Sequence, residues 1–169
     1  MAEDVDFELT KPVQVFSEIK DGIGAEIKDL KRILSAEQAA TATYKSILKN
    51  LHDTEESNEI KNILVEHKRA IEFWKTQLRA KDIHVKNEPG PWHSAIDSLE
   101  SGENLKDQGR IINALKEGEE HVFSEYEEIL NHSKVNFQST AYIRNICLDQ
   151  QRKHVAILEG LNSSNQPTN

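Results

Sequence analysis

Apolar residues recur along this chain at alternating steps of three and four, the spacing that returns to one face of an α-helix, and they do so in four long windows. The windows cover about 25–51, 55–81, 104–131 and 138–161, between Gly22 and Gly24, the polar stretch Asp53 to Asn58, the Asn87 to Pro91 cluster, Ser101-Gly102, and Asn131 to Ser133. At about 1.5 Å per residue each window makes a helix on the order of 40 Å long. Matched lengths predict an all-α four-helix bundle.

Composition agrees with that class. Hydrophobic residues are 37% and charged residues 30% of 169, which is too apolar for a disordered chain and too polar for a membrane protein. The formal net charge is −8, and no segment concentrates Lys or Arg, so nucleic acid and anionic membranes are not expected partners. The single Cys147 cannot form an internal disulfide and reads as a packing residue, as in a reducing compartment. The acidic start, MAEDVDFELTKP, has no apolar run like a secretory signal. A cytoplasmic protein, by default a homodimer, is expected.

Connections constrain the topology. Windows one and two, and windows three and four, are joined by a few residues, so each pair is expected to be an antiparallel hairpin. Between the hairpins lie about 22 residues, Asp82 to Glu103, with a short helix expected over Trp92 to Leu99; extended at about 3.3 Å per residue, they are long enough to cross the bundle. The expected organisation is an N-terminal segment over 1–24, the bundle over 25–161 and a disordered tail over 162–169. Within the first segment, Thr10 to Asp21 is either a short helix of its own or an extension of the first window, with Gly22 and Gly24 kinking or separating the two.

Each buried stripe is interrupted near its middle. The first reads Ile23, Ile27, Leu30, Leu34, Glu37, Thr41, Tyr44, Leu48, Leu51, and the second Ile60, Leu64, His67, Ile71, Trp74, Leu78. The third is Leu105, Gln108, Ile112, Leu115, Glu119, Val122, Tyr126, Ile129, and the fourth Ile143, Cys147, Gln150, His154, Ile157, Leu161. Glu, His, Glu and His therefore fall in turn on the four seams. A buried unpaired charge costs several kcal/mol, so these side chains need partners in the core. Two readings stay open: they converge on one divalent cation, or they pair with one another and fix the helix register.

A repeat supports convergence. Residues 34–48 and 116–130 align without gaps so that Glu37 precedes Tyr44, and Glu119 precedes Tyr126, by seven residues, after which both segments read Ile-Leu. Seven residues are two helical turns, so each tyrosine shares a face with its glutamate.

On these Glu/Tyr pairs, on His67 and His154 and on the long middle connection, the chain resembles the ferritin-like superfamily, in particular its small bacterial four-helix-bundle proteins of uncharacterised function. The resemblance runs from about Ile27 to Leu161. It implies two antiparallel hairpins joined by a long crossover. In the di-iron members, two helices each supply a Glu and two supply Glu-x-x-His. Glu37, Glu119, His67 and His154 match, but Leu64 and Gln151 stand where the bridging glutamates would be. Glu66 lies about 100° around the helix from His67 and is not expected to replace one of them. The resemblance thus implies a single Fe, Mn or Zn held by Glu37, His67, Glu119 and His154, supported by Tyr44, Tyr126, Gln150 and Gln151, with a role in oxidative or metal stress. The competing expectations are a metal-free structural bundle and an interaction module using Trp92 or the acidic third window. No phosphate loop, nucleophile elbow or cysteine-pair metal motif is present.

Overall fold

The computed structural model describes residues 12–50, 55–86 and 108–164. All regular structure among them is helical: α1 (Pro12–Asn50), α2 (Glu55–Arg79), α3 (Gln108–His132), α4 (Phe137–Tyr142), a π-helical turn (Ile143–Cys147) and α5 (Leu148–Ser164). The fourth window is thus one helical rod widened by a π turn. Residues 87–103 of the connection expected to cross the bundle, Trp92 among them, and the end of the tail lie outside the described residues.

Register between contacts shows the helix directions. Along α1, Glu26 meets Lys81 and Glu37 meets His67, so α2 runs antiparallel to α1. The pairs Asp29–Ser133 and Tyr44–Glu119 make α3 antiparallel to α1 as well. Consequently α2 and α3 are parallel. The rod of α4 and α5 runs back against both, through Phe73 stacked on Tyr142 and Lys116 paired with Glu159.

Helix ends are defined by local chemistry. Asp82 adopts φ 58°, and Ile83 N–H donates to the Leu78 carbonyl at 3.0 Å, closing α2 with a left-handed cap. Asn136 caps α4 by accepting from Ser139 N–H at 2.9 Å. Its own main-chain N–H and side-chain amide donate to Glu26, tying this turn to α1.

Two differences from the periodic reading have simple causes. α1 continues through Gly22 and Gly24, so residues 12–24 extend the first helix, one of the two arrangements expected for them. At 39 residues it is about 58 Å long, against about 38 Å for the 25-residue α2, so its N-terminal turns outrun α2. Ile23, expected on the buried stripe, is accordingly 47% exposed. In α5 Gln151 and Leu158 are buried along with His154, while Gln150 and Ile157 are only half-buried. At about 100° per residue, Gln151 and Leu158 fall within about 40° of Cys147, whereas Gln150 and Ile157 lie about 60–80° to the other side.

The apolar core is in two parts. One gathers Leu30, Leu34, Trp74, Val122, Tyr126 and Ile143; the other gathers Tyr44, Ile60, Leu64, Leu115 and Leu158. Full burial of each such side chain contributes about 1.5–3 kcal/mol, so both parts hold the helices firmly. His67, Glu119, Gln151 and His154 fall between the two parts along their helices. A polar layer is thereby clamped between two apolar ones.

Candidate metal centre

Glu37 on α1, His67 on α2, Glu119 on α3 and His154 on α5 are each no more than 2% exposed. His67 spans the bundle: its Nδ1 lies 2.6 Å from Glu37 Oε2 and its Nε2 lies 2.9 Å from Glu119 Oε1. His154 Nδ1 lies 3.0 Å from Glu119 Oε2, and its Nε2 lies 2.6 Å from Glu66 Oε2. Glu119 is thus the hub shared by both imidazoles. Burial would push the Glu119 carboxyl up, but the charge on His67 and the hydrogen bonds from both histidines outweigh this and hold it well below the usual carboxylate range. Burial would likewise push the His67 imidazole down, yet the two flanking carboxylates hold it well above the ordinary histidine value.

The tyrosines of the repeat brace the opposite glutamates. Tyr44 donates to Glu119 Oε1 at 2.5 Å, and Tyr126 donates to Glu37 Oε1. Trp74 Nε1 donates to the Tyr126 hydroxyl at 3.2 Å, extending the network into the larger apolar cluster. Burial, reinforced by the neighbouring glutamates, pushes both phenols up, so they act as donors. Gln151, with its amide nitrogen turned toward the hub, donates to Glu119 Oε2 and, at 3.2 Å, to the Glu119 carbonyl. Gln150 makes no such contact. Burial and the nearby Glu37 push the Cys147 thiol far up, so it stays protonated as a packing residue.

One ligand atom each from His67, Glu119 and His154 lies within 4.8 Å of the others, and this buried group could hold one metal ion. Glu37 belongs to the cluster by another route: its carboxylate sits on His67 Nδ1, across the ring from Glu119. Glu66 does the same for His154. Both imidazoles therefore present one nitrogen to the hub while a carboxylate grips the other, the arrangement that fixes ring orientation and raises basicity in histidine metal sites.

Glu66 joins the site from a position the periodic reading did not assign to it. It does lie to one side of its own His67, but that side faces α5, where His154 comes within reach. The sequence signal for it was present, an acidic residue beside a seam, yet only the neighbouring helix gives the position its meaning.

Two further details bound the site. A cavity of about 10 Å³, near the lower limit for one water, lies between α1 and α3 against Tyr44 and Glu119, walled by Ala40, Thr43, Ala114, Leu115 and Gly118. The Thr41 hydroxyl, on the stripe between Glu37 and Tyr44, is buried with no hydrogen-bond partner among the described residues. No described helix is long and apolar enough to cross a membrane. Comparison of the chain with protein-family models, with curated proteins and with solved structures gives no significant match.

Proposed function

We propose that this is a ferritin-like bundle whose polar layer binds a single divalent metal ion through His67 Nε2, His154 Nδ1 and the Glu119 carboxylate. The observation that carries this reading is the convergence of three donor atoms within 4.8 Å, with a carboxylate behind each imidazole. Two imidazoles and one carboxylate are a donor set used for zinc and for non-haem iron, and manganese also accepts it. Such an ion would supply Lewis-acid or redox chemistry at Glu119. The protein's own residues hold the donors: Tyr44 and Gln151 orient Glu119, while Glu37 and Glu66 fix the ring faces of His67 and His154.

A single ion suits the residues better than a pair. Leu64, three before His67, is apolar, and Gln151, three before His154, is spent on Glu119. Parallel α2 and α3 support the ferritin-like arrangement, because the end of α2 and the start of α3 then lie at opposite ends of the bundle. A role in oxidative or metal stress follows from that resemblance.

A metal-free structural role is the second reading. It is favoured by the fact that both imidazoles already face carboxylates on each ring nitrogen.

Elemental analysis of protein purified without chelator separates these readings. Metal binding predicts about one ion per chain and a melting temperature raised by added Fe, Mn or Zn, because a ligand bound only to the native state stabilises it. Less than about 0.1 ion per chain, with no thermal shift from any of the three, would establish the structural reading.

A further inference from the structure

We infer that Glu66 is the entry ligand through which a divalent cation passes from solvent to the buried centre, a role that rests on the metal-binding reading. Among the described residues hydrogen-bonded into the cluster, Glu66 alone meets water: its side chain is 35% exposed, whereas His154 and Glu119 are 2% and 1% exposed. A hydrated divalent ion sheds its water most readily where an anionic oxygen replaces it. Glu66 offers that oxygen at the surface, and its Oε2 is already 2.6 Å from His154 Nε2. His154 in turn reaches Glu119 through its other nitrogen. Glu66 and Glu119 thus flank opposite nitrogens of the same imidazole, the first at the water boundary and the second at the hub.

The other approach to the hub lacks this chemistry. The cavity between α1 and α3 is walled chiefly by alanine, glycine and leucine, and the Thr43 hydroxyl there donates to its own helix at Ala39. A dehydrating cation would find no carboxylate among the residues lining that path before Glu119. Close to Glu66, the Lys153 ammonium is held by Asp149 at 2.7 Å.

An entry ligand lowers the barrier to binding, so removing its charge slows association. A residue that merely positions His154 acts instead on the bound state and changes release. Stopped-flow binding of Co²⁺, followed by its ligand-field absorption, distinguishes the two. Glu66→Gln retains an acceptor oxygen for His154 and, at this half-exposed position, a native fold that circular dichroism verifies. The expected result is an association rate constant at least tenfold lower, together with whatever change in dissociation follows from losing the carboxylate behind His154. Glu66→Asp, which keeps the charge, restores association to within about threefold. Unchanged association with faster dissociation overturns the entry role and leaves the metal site standing. No Co²⁺ absorption in the parent chain overturns both.

Discussion

The Tyr44 hydroxyl donates to Glu119 Oε1 at 2.5 Å, so a tyrosine from the first helix braces the carboxylate of the third. The reciprocal pair, Tyr126 on Glu37, crosses in the opposite direction. Each seven-residue Glu/Tyr repeat therefore serves its partner helix, because antiparallel α1 and α3 place the tyrosine of one level with the glutamate of the other.

This crossing separates the roles of the two tyrosines. Removing either hydroxyl leaves a buried carboxylate short of a donor, and Tyr44→Phe and Tyr126→Phe should each lower unfolding free energy by about 1–3 kcal/mol in urea titrations. Metal affinity should fall mainly in Tyr44→Phe, by roughly 10–100-fold, since only Tyr44 touches the hub carboxylate. Equal losses of affinity in both variants would contradict this assignment.

The two glutamates should also behave differently. Glu119→Gln removes the carboxylate shared by both histidines and is expected to abolish stoichiometric metal uptake. Glu37→Gln acts only across the His67 ring and should weaken binding roughly 10–100-fold without changing the stoichiometry. Calorimetric titration with Zn²⁺ measures both. A complete loss in Glu37→Gln would show that Glu37 is a direct ligand.

Protein stripped with chelator should be most stable between pH 4.5 and 6.5, the ordinary carboxyl and imidazole values. Glu119 is lowered in the fold, so its contribution is present above 4.5 and is lost as pH falls toward its folded value. His67 is raised, so its contribution is present below 6.5 and is lost as pH rises through its folded value. Urea midpoints measured across pH should therefore decline on both sides, and Glu119→Gln should flatten the acid limb. Midpoints that climb steadily from pH 6.5 to about 9 would refute this balance.

Thr41 carries a buried hydroxyl without a partner, and Thr41→Val removes it at nearly constant shape. The variant should be neutral or more stable by about 1 kcal/mol in the same titrations. A loss of more than about 1 kcal/mol would mean that the hydroxyl is satisfied in solution.

Gly22 and Gly24 sit inside α1, and a methyl group at either would meet nothing within 4 Å. Alanine at each should favour the helix by about 1 kcal/mol locally. The readout is slower amide exchange in the first turns of α1 together with a larger helical circular dichroism signal. Unchanged exchange there would show that these turns are not helical in solution.

The helices and their polar interruptions were legible in the sequence because each depends on spacing along one helix. Steps of three and four identified Leu30, Trp74 and Ile129 as core, and they exposed Glu37, His67, Glu119 and His154 as breaks in the stripes. The seven-residue repeat likewise brought Tyr44 and Tyr126 to the site. Which atoms meet was decided only by the tertiary structure, through the rotation and height of each helix against its neighbours. That rotation put Gln151 rather than Gln150 against Glu119, set Glu37 behind the His67 ring, and brought Glu66 to His154 from a position that looks peripheral on its own helix. Periodicity fixes a side chain's angle about one axis, whereas a binding site needs the relative placement of four.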